Sequence, residues 1–325
     1  MNRIAIIVLV SLSAYCLLDL AISAAVAVVW RTRAIAPANL PPAVRARRLL
    51  QFRLIPSAAA LALTLLLITP AFALFEPAHP QEEIGPVLEL LSTFALLQIG
   101  WAIFSAVRSA RLTARIERAW LVNAQPIDAS HTAGLQAFAI ESPTPMVALV
   151  GVFTPKLMAA KSVVDACTRD EIACIVAHER GHFDSRDNLK RWLMASLPDV
   201  LRWTPIHREI VEAWHHAAED AADDAGTGGH ALARTELAAL LVKILRLAPA
   251  PTWDAAIVSP FVEKHGFERR VRRLLQHTME PPAPLAILPT VSIAVIAFAT
   301  VVASSSPTIL KKIFFTIEHF VALGR

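Results

Sequence analysis

The hydrophobic pattern separates long unbroken apolar runs from one mixed stretch. Residues 4–30, 54–75, 87–107 and 285–303 are apolar over lengths that match the hydrocarbon core of a bilayer, so each is predicted to be a membrane-spanning helix. Residues 108–282, between the third and fourth runs, are mixed in polarity and long enough for a separate core. Within them, residues 135–160 alternate in polarity, with Pro143, Pro145, Gly151 and Pro155 as punctuation, which predicts two or three short strands. From Thr168 onward the period becomes helical. In the tail, residues 307–325, Ile309, Leu310, Ile313, Phe314, Ile317, Phe320 and Val321 share one face, whereas Lys311, Lys312 and Glu318 lie elsewhere; this predicts an amphipathic helix on the membrane surface. The fold class expected is a mostly α membrane protein with four transmembrane helices and an α+β domain inserted between the third and fourth.

Charge sets the expected orientation. Arg31, Arg33, Arg45, Arg47, Arg48 and Arg53 fall in residues 31–53, which contain no acid, and Arg108, Arg111, Arg115 and Arg118 follow the third run. Such arginine-rich flanks mark the cytoplasmic side. Glu76, Glu82 and Glu83 lie in the short connection opposite. The expected location is therefore the inner (cytoplasmic) membrane, multi-pass, with the inserted domain facing the cytoplasm. The basic loop lacks the interleaved aromatics of a nucleic-acid surface, so no nucleic acid is expected. Pro56 and Pro70 are expected near the ends of the second span, where proline is best tolerated. Asp19 interrupts the first span and reads as a helix–helix hydrogen bond, the alternative being a polar path to a site. Residues 192–203 are apolar but too short to span, and either dip into the bilayer or pack beneath the domain.

Composition agrees with this layout. Apolar residues make up 55% and charged residues 18% of 325, and the mean hydropathy is +0.50, too apolar for an ordinary water-soluble chain. The net charge of +4 is carried mainly by arginine. Cys16, Cys167 and Cys174 lack paired spacing, which excludes a disulfide framework or a four-cysteine zinc site. Cys174 lies one helical turn before His178 and reads as packing.

The candidate chemistry lies in the inserted domain. His178-Glu179-Arg180-Gly181-His182 is a His-Glu-x-x-His pattern in a helical stretch. Residues four apart share a helix face, so His178 and His182 can address one metal, with Glu179 placed to act on a water. Thr168 and Glu171 form a capping-box pattern that starts this helix. Two imidazoles suit zinc, and a catalytic site needs a third protein ligand and an open position. Glu219 is the candidate, on a predicted helix over residues 208–224, with Asp223 one turn later placed to orient an imidazole. Asp220 and Asp224 have the same spacing and form the competing pair. His215 and His216, nearby, His265, farther on, or an arginine are candidates for oxyanion or substrate contact. Tyr15, the chain's one tyrosine, falls in the first span.

Taken together, His178 to His182 followed by Glu219-Asp220-Ala221-Ala222-Asp223 resemble the gluzincin pattern of membrane-embedded metallopeptidases. Gly151-Val152-Phe153-Thr154-Pro155, Arg186-Asp187-Asn188 and Phe267-Glu268-Arg269-Arg270-Val271 are similar to the BlaR/MecR-type peptidase family, with HtpX-type and CAAX prenyl-protein proteases as the second choice. The resemblance implies a zincin-like peptidase domain holding Zn2+ by His178, His182 and Glu219. It implies Glu179 as general base and Asp223 as hydrogen-bond partner of His178. Its substrate would be a repressor-like cytosolic regulator or a membrane protein. BlaR/MecR-type transducers carry a large sensor after the fourth span; residues 307–325 offer no such domain, so β-lactam sensing is not expected. The competing reading is a non-catalytic membrane signalling or scaffold protein with a structural metal. A transporter is a third reading, against which stands the lack of paired broken helices.

Overall fold

The computed structural model describes residues 3–32, 40–77, 85–128, 132, 134–247, 264–276 and 307–323. Among the described residues, three helical stretches are long and apolar enough to cross a membrane: α1 (Arg3–Arg31), the continuous stretch Pro42–Phe75, and α4 (Pro86–Leu121). The fourth expected span, residues 285–303, lies outside the described residues. Leu17, Val28, Leu65, Leu97, Ile103 and Phe104 project outward from these helices. Such a continuous apolar surface is suited to lipid and not to water. Where the helices meet, the contacts are small: Cys16, Ala60 and Ala95 are buried together with Tyr15. Small residues let backbones approach closely where the surrounding solvent is itself apolar.

The second stretch begins earlier than the hydrophobic pattern suggests. Its first segment, α2 (Pro42–Leu63), starts with proline at the first helical turn and takes in Arg45, Arg47, Arg48 and Arg53. The arginine-rich stretch is thus largely helix, because alanine, leucine and arginine all favour that state. Pro56 sits inside α2 rather than near an end. A π turn, Thr64–Ile68, then leads into α3 (Thr69–Phe75). Pro70 supplies the cause: it lacks the N–H needed to continue the ladder, and its ring crowds the carbonyl four residues earlier. Similarly, α4 runs unbroken past residue 108 to Leu121, so the expected domain boundary at 108 falls within a helix.

The inserted region opens with a small sheet. Strands β1 (Gln125–Pro126), β2 (Ala137–Ile140), β3 (Val147–Val150) and β4 (Lys156–Ala160) are arranged in the order β1-β2-β4-β3. Strand β4 runs parallel to β2 and antiparallel to β3, so it is paired on both sides and β3 forms an edge. Helix α5 (Lys161–Ala166) precedes α6 (Arg169–Ser185), α7 (Asp187–Ala195), a 3-10 turn (Val200–Trp203) and α8 (Pro205–Thr227). Helices α9 (Ala231–Leu247) and α10 (Lys264–Leu275) follow. The core is formed by Val147, Leu157, Val163, Ile175, Val176 and Leu240.

Helix α8 joins this region to the membrane helices. One side packs on α2 through Ala46, Leu49, Trp214, Ala217 and Ala218. The other packs on α6, where there is no room for larger side chains. A Cβ on Gly181 would come within 3.1 Å of Ala222 Cα, and one on Gly226 within 3.0 Å of His178 N. The segment before α8 is inserted among the membrane helices. Asp19 accepts from Val200 N at 2.8 Å and Gln98 Nε2 at 3.2 Å, while Asp199 accepts from Arg53 Nη1 at 2.7 Å and Ser57 Oγ at 2.5 Å. Tyr15 Oη donates to the Pro198 carbonyl. Asp19 therefore ties helices together, and the apolar segment over residues 192–203 belongs to that packing.

The last helix, α11 (Pro307–Leu323), rests on α1 and α3: Leu310 and Phe314 pack with Ile6, Val10, Ala71 and Phe72.

Candidate active and metal site

The capping box anticipated from sequence fixes the start of α6. Thr168 N donates to Glu171 Oε2 at 2.7 Å, and Glu171 N donates to Thr168 Oγ1 at 3.3 Å. From that start the helical period turns His178, Glu179 and His182 to the interior, and all three are buried. Helix α6 ends at Arg186, which takes the left-handed conformation at φ 55°. That turn brings Asp187 back onto the preceding histidine: His182 Nδ1 lies 2.8 Å from Asp187 Oδ2. With Nδ1 held as donor, Nε2 of His182 is left as the ligand atom.

Helix α8 supplies the third donor. Ligand atoms of His178, His182 and Glu219 all lie within 4.8 Å of one another. Glu219 Oε2 is 3.7 Å from His178 Nε2, and Oε1 is 3.5 Å from His182 Nε2. One turn on, Asp223 Oδ1 lies 3.0 Å from His178 Nδ1. Each histidine thus has a carboxylate behind its Nδ1 and Glu219 before its Nε2. Two imidazoles and one carboxylate suit zinc, with the remaining position available to water or substrate. The competing pair points away: Asp220 pairs with Arg45 and Arg269 at 2.7 Å, and Asp224 with Arg273 at 2.6 Å.

Three contributors were not among the sequence candidates. The first is Arg270 on α10. Its Nε and Nη2 reach the two Asp223 oxygens at 3.0 and 2.5 Å, and its Nη1 lies 2.9 Å from Glu219 Oε2. The second is Asp187. The third is Asn188, whose Nδ2 donates to the carbonyls of Leu149 at 2.9 Å and Gly151 at 2.8 Å, fixing β3 against the site. Arg186-Asp187-Asn188 and the Arg270 helix stood out in sequence only as likenesses; their roles depend on folding.

Electrostatics reflects this crowding. Burial pushes the Glu179 carboxyl upward, against the pull of the two histidines. Burial also works against the Glu219 charge, but Arg270 and His182 overcome it and hold this carboxyl well below the usual range. For Asp223 burial again pushes upward, but Arg270 and His178 together overcome it and bring the carboxyl down to about 2. Burial lowers His182, yet Glu219 and the Asp187 hydrogen bond carry it up to about 10. The field that favours a proton on these imidazoles favours a metal cation at the same nitrogens.

A groove of about 720 Å³ opens over this centre, bounded by β3 on one side and lined by Glu179, His182, Glu219, Arg191 and Trp192. Of the other candidates, the His216 carbonyl accepts from Arg269 at 3.3 Å, and neither His215 nor His216 lines the groove. Burial and the nearby Arg191 push His215 down to about 4, so it is neutral at pH 7. The side chain of His265 lies outside the described residues.

Residues 108–250 match the family described as Peptidase family M48. No curated protein and no solved structure matches significantly. The matched segment, under half of the chain, contains the sheet and both helices that bring His178, His182 and Glu219 together, and over those residues the chain is similar to peptidases of family M48.

Proposed function

We propose that this chain is an integral-membrane zinc endopeptidase that hydrolyses peptide bonds of a cytosolic regulator or membrane protein at a cytoplasmic active site. The observation carrying this reading is the convergence of His178, His182 and Glu219 beside Glu179 on the wall of an open groove. Glu179 is 3% exposed and makes no hydrogen bond or ion pair among the described residues. A buried carboxylate without a partner is costly, and a structural metal site has no use for it. A general base does.

In this mechanism His178, His182 and Glu219 would hold zinc, and Asp223 and Asp187 orient the two imidazoles. Bound there, the metal would supply Lewis acidity toward the scissile carbonyl and a water. Glu179 takes a proton from the attacking water and delivers it to the leaving amine nitrogen as the C–N bond breaks. The substrate lies extended along β3, an edge strand whose Leu149 carbonyl already accepts from Asn188, as an added strand. Strand β4 is not available for this role, because both of its edges are taken.

The arginine-rich start of α2 supports a cytoplasmic groove, and the spans support an inner-membrane location with residues 108–282 as the peptidase domain and 307–325 as a tail. The finer likeness to BlaR/MecR-type or HtpX-type enzymes belongs to this same reading.

The test uses the full chain in detergent with a quenched-fluorescent peptide library. Wild type cleaves library members, and Glu179→Gln retains zinc without cleaving. Equal cleavage by both proteins rejects the peptidase assignment. Unchanged zinc content in Glu219→Ala removes Glu219 from the ligand set.

A further inference from the structure

Acyl transfer generates negative charge on the carbonyl oxygen, and zinc peptidases commonly place a donor there in addition to the metal. Neither tyrosine nor histidine fills this role among the groove residues described above. Tyr15 is committed to the Pro198 carbonyl between the membrane helices, and His215 and His216 do not line the groove.

Arg191 does line it, together with Glu179, His182 and Glu219. It is carried on α7, one turn after Asp187, so the turn that aims Asp187 at His182 also aims this guanidinium at the same centre. Its Nε is buried without a hydrogen-bond partner. Among the described residues Arg191 makes no ion pair, although Glu219, Asp187 and Glu179 all act on it electrostatically. That distinguishes it from Arg270, which is committed to Asp223 and Glu219.

A guanidinium facing three carboxylates without closing onto any of them is poised for a fourth acceptor. Arginine keeps its charge even when partly desolvated and presents several N–H groups in one plane, so it can donate without losing a proton. Arg191 shares the lining of one groove with Glu179, His182 and Glu219, so an acceptor entering that groove comes within its surroundings.

Building on the peptidase reading, we infer that Arg191 is a catalytic residue, donating hydrogen bonds to the scissile carbonyl oxygen as that oxygen becomes negative. It contributes little to the ground-state peptide, whose carbonyl carries only a partial charge.

The experiment compares wild type, Arg191→Ala, Arg191→Lys and Glu179→Gln as full chains in detergent, each with its zinc content measured. On the best-cleaved library peptide, Arg191→Ala loses about 100-fold or more in kcat while KM changes by no more than about 3-fold. Arg191→Lys falls between the two, and added guanidinium at millimolar levels restores part of the Arg191→Ala rate but none of the Glu179→Gln rate. The second readout is binding, not turnover: a phosphinic analogue of that peptide, which mimics the tetrahedral charge, loses about 100-fold in affinity in Arg191→Ala, whereas the cognate amide peptide bound to zinc-loaded Glu179→Gln loses no more than about 3-fold when Arg191→Ala is added. A loss confined to KM, zinc depletion in both Arg191 variants, or kcat within about 3-fold of wild type overturns the assignment. If wild type neither cleaves nor binds the phosphinic peptide, the peptidase reading fails first. If Glu179→Gln is inactive while Arg191→Ala is not, only the role of Arg191 fails.

Discussion

Replacing Gly226 with alanine tests how closely the metal donors depend on helix contact. The added Cβ would lie 3.0 Å from His178 N, 3.1 Å from His178 Cα and 3.4 Å from Ala177 C. Comfortable carbon contacts are about 3.5–4.0 Å, so α8 must retreat from α6 by several tenths of an ångström. Every atom in the way is backbone, so no side-chain rotation relieves the clash. Alanine favours the helix by about 1 kcal/mol over glycine, and overpacking opposes it by about 1–3 kcal/mol. The net is a loss of about 0–2 kcal/mol in stability, a modest effect. The metal is the more sensitive reporter. Glu219 lies two turns earlier on α8 and both histidines are on α6, and metal–ligand distances tolerate only about 0.2 Å. Zinc affinity should therefore fall about 10-fold or more, measured by competition with a fluorescent chelator in detergent. Gly266→Ala is the control: it is also helical but has open space within 4 Å of the added Cβ, so zinc affinity should not change. The reasoning is refuted if Gly226→Ala binds zinc as wild type does and melts no lower than Gly266→Ala.

Three further outcomes follow from the same geometry. Asp187→Ala frees the His182 ring and should weaken zinc binding by about 10–100-fold, with Asp187→Asn recovering part of it, as read by the same competition assay. Asp199→Ala leaves Arg53 buried without its carboxylate; a loss of about 3–5 kcal/mol is expected, seen as a lower melting temperature in detergent, and the Arg53→Met, Asp199→Ala double variant should melt above the single one. His207 accepts from Arg53 Nε at 2.8 Å through Nδ1, and burial with the Arg53 charge lowers its pKa to about 4. The native ring refuses a proton that the unfolded chain accepts below about pH 6.5, so its stabilising contribution is complete above that pH and declines as pH falls toward 4. Melting curves between pH 7.5 and about 5 should show the decline, and His207→Gln should flatten it.

The lasting division lies between local rules and encounters across space. Sequence alone determined the apolar stretches, because a span is a property of consecutive residues. It likewise determined the capped start of α6 and the common face of His178, Glu179 and His182, since helical spacing and capping act within a few residues. Glu219 and Asp223 were legible as a spaced pair on a second helix, but not as a better pair than Asp220 and Asp224. Tertiary structure decided that: α8 lies with Glu219 and Asp223 toward α6, while Arg45, Arg269 and Arg273 draw Asp220 and Asp224 the other way. Extent also escaped the apolar pattern, because α2 and α4 continue as helices beyond the residues suited to lipid. The partners of the site depend on chain reversals that no short window encodes. The left-handed Arg186 turns Asp187 onto His182 and sets Arg191 over the groove, and α10 carries Arg270 between Asp223 and Glu219. His-Glu-x-x-His specifies two donors and a base; what completes the site comes from side chains distant in sequence, whose positions follow from packing.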